Sequence, residues 1–196
     1  MPIKRLFVVW TILLASAAPA LAQRPGPEFW RRATCEPFEG RTKLETLELK
    51  YETLLYKGFT RITTVEIQGV RVDAVDLRDT RTATRAMGVV VVLAGSGDRA
   101  HDARALIDYE EIEPLLHAID EASKVNEMAT KLVGFEARYK TQGDLELMVF
   151  RQTRTGTAVT LTAGLCDKVT ESLTLDELAK FRAMIVEAKQ RLDEIR

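Results

Sequence analysis

The chain has few of the residue types on which catalysis and metal binding most often depend. Its 196 residues include two cysteines and two histidines, His101 and His117. No H-E-x-x-H, P-loop, EF-hand or G-x-S-x-G pattern occurs, so the sequence contains no recognisable metal helix, phosphate cradle, calcium loop or nucleophile elbow. We therefore expect a binding protein rather than an enzyme. The alternative is a periplasmic or secreted hydrolase.

An excess of one charge is also lacking, because 28 Lys and Arg stand against 29 Asp and Glu. Nucleic-acid-binding domains usually carry a basic excess on one face, so we expect no nucleic-acid partner. Beyond the N terminus, no apolar run approaches the roughly 20 residues that a membrane-spanning helix needs. We expect neither a cofactor nor a resident metal ion.

The N terminus has the pattern of a secretory signal peptide. Lys4 and Arg5 precede an apolar run from Leu6 to Ala15, and Ala20-Leu21-Ala22 supplies a small-x-small cleavage site. The run is too short to span a bilayer comfortably, which favours cleavage over anchoring. We predict that residues 1–22 are a signal peptide and that the mature chain is exported, either periplasmic or secreted.

Export would place Cys35 and Cys166 in an oxidising compartment. A single disulfide between them is the simplest interpretation, and it would tie the N-terminal segment to the second half of the chain. A chain-entropy estimate assigns such a long loop about 4 to 5 kcal/mol at most. In the alternative, Cys166 would be a nucleophile only if Cys35 left it free and a histidine approached it.

Two boundaries divide the mature sequence. Residues 23–44 contain three prolines and follow no helical or strand period, which predicts an irregular N-terminal arm.

Residues 45–196 form one predicted domain, whose first unit covers about 45–126. Strand patterns in this unit, alternating or rich in β-branched residues, fall at Leu47–Glu52, Ile62–Ile67, Val70–Leu77 and Val89–Leu93. The last of these is continuously apolar, as in a strand covered on both faces.

A helix is predicted to close the first unit. Asp108 and Glu111 have the spacing of a capping box, and Pro114 predicts either a bend or an unusually tight start. The predicted apolar stripe of this helix contains Tyr109, Ile112, Leu115, Leu116, Ile119, Ala122 and Val125.

The second unit, about 132–196, repeats this order. Its predicted strands are Phe135–Thr141, Leu145–Arg151, Ala158–Ala163 and Val169–Leu173. Thr174 and Glu177 have the spacing of a second capping box. The stripe of the final helix is predicted as Leu175, Leu178, Phe181, Ile185, Ala188, Leu192 and Ile195.

The two helix starts are copies of each other. Ile107 to Ile112 corresponds to Leu173 to Leu178 at a separation of about 66 residues. Two further matches have different separations, and they join Leu47–Thr53 with Phe135–Thr141 and Arg78–Thr84 with Arg151–Thr157. One helix cannot complete a core over four strands alone. We therefore predict an α+β fold of two tandem ββββα units, with antiparallel sheets and two amphipathic helices that share one core.

The arrangement of Phe135–Thr141, Ile107–Ile119 and Leu173–Ala188 resembles a family of uncharacterised exported bacterial proteins. The resemblance covers most of residues 45–196, but its motifs are structural and carry over no catalytic or binding residue. The order of four strands and a helix, which occurs twice in the chain, also resembles the Whirly type of single-stranded-DNA-binding fold. That analogy implies nucleic-acid binding as a lesser alternative.

Two weaker patterns have simpler interpretations. Gly95 to Ala100 matches the dinucleotide pattern G-x-G-x-x-A, but no long helix follows directly, which favours a glycine-rich turn. Glu113, His117 and Glu121 share one helical face at a spacing that suits a shallow metal site. A solvated polar face explains these three residues more simply.

Two polar turns supply the sharpest binding hypothesis. They contain arginines interleaved with threonines, and both side chains suit phosphate or carboxylate groups. The candidate anion-binding residues are Arg78, Arg81, Arg85, Arg151 and Arg154. The simpler interpretation is a pair of solvated hairpin ends. Together these patterns predict a non-catalytic binding or interaction protein of the cell envelope or exterior, with an envelope component or a protein as partner.

Overall fold

The computed structural model describes residues 40–95, 101–125, 132, 134–152 and 156–196. The predicted signal peptide and most of the predicted arm lie outside these residues. The elements follow in the order α1 (Lys43–Glu48), β1 (Leu55–Arg61), β2 (Val70–Asp79), β3 (Arg85–Leu93), β4 (Ala103–Asp108), α2 (Ile112–Lys124), β5 (Phe135–Lys140), β6 (Glu146–Gln152), β7 (Gly156–Ala163), β8 (Val169–Leu173) and α3 (Leu175–Asp193).

The strands form two four-stranded antiparallel sheets, β1-β2-β3-β4 and β5-β6-β7-β8. Each sheet is a meander in which neighbouring strands in the chain are neighbours in space. A helix follows the last strand of each sheet, α2 after β4 and α3 after β8. The predicted α+β class with two ββββα units is therefore confirmed.

The strand registers show how the two units correspond. The match at the helix starts is confirmed, since Ile107 pairs with Val89 as Leu173 pairs with Val159. The strand pairs of one sheet can be matched to those of the other. The number of residues that separates equivalent positions decreases along the unit. It is 77 residues from Thr60 to Ala137, 75 from Ala74 to Val149, 70 from Val89 to Val159 and 66 from Ile107 to Leu173.

The first two predicted strands are wrong. Leu47–Glu52 contains the end of α1 rather than a strand, and Ile62–Ile67 contributes only an isolated bridge from Ile67 to Val70. The first and last strands of the sheet, β1 and β4, were not predicted. The alternation of apolar and charged residues in Leu47–Glu52 also suits one helical turn. There, Thr42 and Glu45 form a capping box that starts α1.

The starts of α2 and α3 follow their sequence signals. A 3₁₀ turn, Tyr109–Glu111, precedes α2, and its capping box joins Asp108 and Glu111. Pro114 lies in the first turn of α2, where a missing N–H breaks no helical hydrogen bond. This confirms the predicted tight start. Thr174 and Glu177 form the capping box of α3 as predicted.

Each long helix packs across the sheet of the other unit. α3 lies mainly across β2 and β3, whereas α2 contacts β6 and packs against α3. One cluster of buried side chains contains residues of both sheets and both helices, among them Val72, Leu147 and Phe181. The predicted stripe of α3 is right at its centre but wrong at its ends, because Leu175 and Ile195 are about half exposed, at 48% and 49%.

The first sheet has a second apolar layer on its outer face. α1 packs on β2, β3 and β4 there, and Leu44 and Leu47 are its buried anchors. The cluster that they join contains Val75, Leu77, Ala86, Val90, Val92 and Leu106. The central strand β3 is therefore covered on both faces, as its apolar run predicts.

Buried carboxylates hold α1 in place. Asp108 accepts hydrogen bonds from the N–H groups of Lys43 (2.7 Å) and Leu44 (3.1 Å) at the start of α1. Asp144, in the turn between β5 and β6, pairs with Arg41 just before α1 and with Lys140 (3.0 Å). These contacts tie the covering helix to the end of its own sheet and to a turn of the other.

None of the helices in the described ranges has the length and apolarity that a membrane crossing requires.

Candidate functional site

The arginines of the first polar turn are partly neutralised by one carboxylate. Arg78 and Arg85 are cross-strand partners on β2 and β3, and both donate to Asp76. The Arg85 Nε donates to Oδ1 at 2.7 Å and the Arg78 Nε to Oδ2 at 3.0 Å. Burial would raise the pKa of Asp76, but these hydrogen bonds outweigh it and lower that pKa. Arg85 also donates to the carbonyl oxygen of Ile195 at 2.8 Å.

The remaining candidate arginines lie elsewhere. Arg81 is exposed in the turn between β2 and β3, where its backbone N–H donates to Asp79 (2.8 Å). Arg151 belongs to the second sheet, and its guanidinium lies 5.5 Å from the centre of the Phe135 ring. Arg154 lies outside the described residues. The structure brings Arg78 and Arg85 together, while Arg81 and Arg151 have separate surroundings.

The candidate metal face of α2 is occupied by ion pairs. Glu113 pairs with Lys189 of α3 at 3.3 Å, and Glu121 pairs with Lys124 at 3.0 Å. Among the residues that the structure describes, no three His, Cys, Asp or Glu side chains are grouped so that they could hold a metal ion.

The remaining sequence candidates lie near two turns. His101 is exposed, with its Nε2 3.3 Å from the carbonyl oxygen of Asp167. Cys166 lies in the exposed turn between β7 and β8. Cys35 and Ser96 to Ala100 of the glycine-rich turn lie outside the described residues, so the structure gives no geometry for the disulfide or for that turn.

Asp79 is a buried carboxylate whose hydrogen bonds hold two segments of the chain together. It accepts hydrogen bonds from Lys50 (2.8 Å), Thr53 (2.7 Å) and Thr82 (2.7 Å). These bonds lower the pKa of Asp79 well below its usual range. The cluster fixes the chain after α1 onto the turn between β2 and β3.

The most unusual surface in the described residues is the edge of the first sheet, formed by β1. Six of the seven residues of β1 are exposed, and only Leu55 is half buried. Most strands keep one face covered, whereas the residues of β1 are exposed on both of its faces. Large apolar side chains are exposed here, with Leu54 at 61%, Tyr56 at 62% and Phe59 at 65%. We call Leu54–Arg61 the β1 edge.

An open cleft of about 420 Å³ runs between the β1 edge and the last turn of α3. Gly58, Thr60 and Asp76 line one side, and Leu192 and Ile195 line the other. The half-exposed Ile195 is thus part of this surface rather than of the core. Apolar side chains, strand backbone and a paired Asp76 meet there, a combination that suits a polypeptide ligand.

The sequence contained a signal for the β1 edge that the periodicity did not isolate. Leu55-Tyr56-Lys57-Gly58-Phe59-Thr60-Arg61 is rich in residues that favour strands. Its apolar residues do not alternate on one face, however, because both faces are exposed.

Comparison with protein-family models, curated proteins and solved structures finds no match for this chain.

Proposed function

We propose that this protein is an exported, non-catalytic protein-interaction domain that binds a polypeptide along the β1 edge. The observation that carries the proposal is an edge strand exposed on both faces, with Leu54, Tyr56 and Phe59 each more than 60% exposed. An exposed edge strand with apolar side chains is a template for pairing with another strand. Backbone hydrogen bonds give affinity in such complexes, and side chains give specificity.

The charged groups support a binding role over a catalytic one. Asp79 and Asp144 are held by several donors each, and the Asp108 carboxylate receives two backbone N–H groups at the start of α1. A general acid or base needs a free proton-transfer position beside a substrate. These carboxylates instead stabilise turns and helix starts.

Export remains part of the proposal, and it depends on the N-terminal sequence. Lys4, Arg5, the apolar run and Ala20-Leu21-Ala22 together have the signal-peptide pattern. Sequencing the N terminus of the protein purified from its own cells should give a chain that begins at Gln23. An N terminus at Met1 in the mature protein would contradict export by this route.

A disulfide between Cys35 and Cys166 accompanies the proposed export, since these are the chain's two cysteines. The test is thiol labelling of the unfolded but unreduced mature protein. Labelling should appear only after reduction. Modification of both cysteines before reduction would exclude the disulfide.

The interaction is tested by affinity capture with matched variants. The mature protein, a Tyr56→Ser/Phe59→Ser double variant and a Leu175→Ser control are immobilised and exposed to an envelope extract of the source cells. Leu175 is an exposed apolar residue on α3, away from the β1 edge. A polypeptide that the wild type and the control retain and the double variant loses would support the proposal. Equal retention by all three proteins would overturn it, and so would a wild type that neither retains a polypeptide nor associates with itself.

A further inference from the structure

The outward hydrogen-bonding groups of β1 can be assigned from its ladder with β2. Ile62 N–H donates to Val72 O at 2.9 Å, and Thr80 N–H donates to Leu54 O at 3.2 Å. Leu54 and Ile62 therefore belong to hydrogen-bonded pairs. Because such pairs alternate along an antiparallel ladder, even-numbered residues bond inward. The N–H and C=O groups that point outward are those of Leu55, Lys57, Phe59 and Arg61.

We infer that β1 of one molecule pairs with β1 of a second copy of this chain, antiparallel and centred on Gly58. This inference rests on the proposed function, because it names the partner of the β1 edge. The two sheets would then join into one continuous eight-stranded sheet. Lys57 would lie opposite Phe59 of the other copy, and Leu55 opposite Arg61.

Charge selects this register over its two neighbours. A pairing centred on Lys57 would place Lys57 opposite itself, and a pairing centred on Phe59 would place Lys57 opposite Arg61. Like charges directly opposite each other destabilise a strand pair. The register centred on Gly58 instead places each cation opposite an apolar side chain, and Lys57 reaches the Phe59 ring in a cation–π contact.

Two further features let two basic strands approach each other. Lys57 already pairs with Glu48 at 2.7 Å, and Arg61 pairs with Asp73 at 3.4 Å. Each strand therefore carries its countercharges with it. Gly58 would form the central non-hydrogen-bonded pair, where backbones approach to about 4.5 Å. Its missing side chain leaves room at the point of closest approach.

The test is the mass in solution of the mature protein, measured by light scattering during size-exclusion chromatography across a wide range of concentrations. The wild type should form a dimer. Phe59→Lys places two lysines opposite each other at two symmetric positions, so the dimer should dissociate at least about ten-fold more readily. Adding Lys57→Glu to Phe59→Lys restores opposite charges across the interface, and the double variant should dimerise again.

A cysteine crosslink tests the register itself. Gly58→Cys should give a disulfide-linked dimer on mild oxidation, because the two Cβ atoms of this pair come within disulfide reach. Lys57→Cys lies out of register with its symmetry mate and should not crosslink. Efficient crosslinking of Lys57→Cys alone would overturn the register.

The inference and the proposed function fail in different ways. A wild type that is monomeric at every concentration, or a Phe59→Lys variant that stays dimeric with an unchanged circular dichroism spectrum, overturns the second-copy inference. Loss of a different captured polypeptide by the Tyr56→Ser/Phe59→Ser variant would still support the proposed function. If the wild type neither dimerises nor captures a polypeptide, both are wrong.

Discussion

The outer faces of the two sheets differ although the sheets themselves correspond strand by strand. The outer face of the first sheet is apolar and lies under α1. The outer face of the second sheet consists of exposed or half-buried side chains, which are Glu136, Arg138, Lys140, Glu146, Met148, Phe150, Ala158, Thr160, Thr162, Thr170 and Ser172. Ion pairs and hydroxyl contacts replace helix packing there, such as Thr162 to Thr170 at 2.9 Å.

Equivalent positions show the chemistry of this difference. The outward residues of the first sheet are Val90, Val92 and Leu106, and their equivalents in the second are Thr160, Thr162 and Ser172. At each of these positions, the second sheet has a hydroxyl-bearing side chain of smaller or similar size where the first sheet has an apolar one. The inner faces remain apolar in both sheets. The outward positions therefore decide whether a sheet receives a covering helix, while the inward positions keep the shared core.

The largest expected effect comes from Gly88, an outward residue of β3 that lies against Leu44 of α1. A Cβ there would lie 2.0 Å from the backbone oxygen of Ile107 and 2.8 Å from Leu44. Gly88→Ala should therefore lower the free energy of unfolding by more than about 3 kcal/mol. Its equivalent Ala158 already has a side chain, and Ala158→Gly should lose only about 0.5 to 1 kcal/mol. Urea denaturation of both variants measures the contrast, and similar losses would contradict it.

The next effect compares the anchors of the two outer faces. Leu44 is fully buried between α1 and the first sheet, so Leu44→Ala should lower the free energy of unfolding by about 3 kcal/mol. Met148 is half buried on the open face of the second sheet, and Met148→Ala should lose about 1 kcal/mol or less. Thermal unfolding checks the pair. An equal loss for Met148→Ala would mean that the second face is covered as tightly as the first.

A smaller effect concerns Asp144, which links the segment before α1 to the second sheet. Burial would raise the pKa of Asp144, but hydrogen bonds from Arg41 and Lys140 outweigh it and lower that pKa. A carboxylate with a depressed folded-state pKa stabilises above its unfolded value, near 4, and this contribution is lost as pH falls further. Asp144→Asn should therefore be less stable at neutral pH and should lose less stability on acidification.

The control for Asp144→Asn is Glu66→Gln, which changes an exposed carboxylate. Melting temperatures from neutral pH to below pH 4 should follow the wild type in this control. If Asp144→Asn has the same acid slope as the wild type, the link contributes nothing to the pH dependence.

The smallest effect compares the hairpins that follow β2 and β6. Ala83 adopts a left-handed conformation with φ of 54°, whereas the second hairpin has Gly156 at φ 79°. A side chain costs about 1 kcal/mol in this region, partly offset by glycine's greater freedom in the unfolded chain. Ala83→Gly should raise the free energy of unfolding by about 0.5 kcal/mol. Gly156→Ala should lower it, and changes of the same sign would contradict the comparison.

Sequence patterns predicted the second unit better than the first. β7 alternates apolar and polar residues, which is the period of a strand with one open face, and all four strands of that unit were placed correctly. In the first unit, α1 covers the outer face and removes that alternation. The six residues of α1 are too few for a clear helical period, so the alternation of Leu47–Glu52 predicts a strand there instead.

The exposure of the β1 edge and the open cleft cannot be derived from local patterns. Both depend on which strands the helices cover, since β1 is left exposed while α3 reaches Ala74 and Asp76 from the other unit. The anion-binding hypothesis for the arginines takes no account of Asp76, which accepts hydrogen bonds from both Arg78 and Arg85. Only the register of β2 with β3 shows that these charges converge on one carboxylate.

The crossed packing of the long helices has a consequence for biosynthesis. The inner face of β2 and β3 is covered mainly by α3, which follows all eight strands in the chain. The first sheet therefore cannot complete its core when only its own four strands and α2 have been synthesised. We expect the two units to fold together, once the chain as far as Asp193 is available, rather than one after the other.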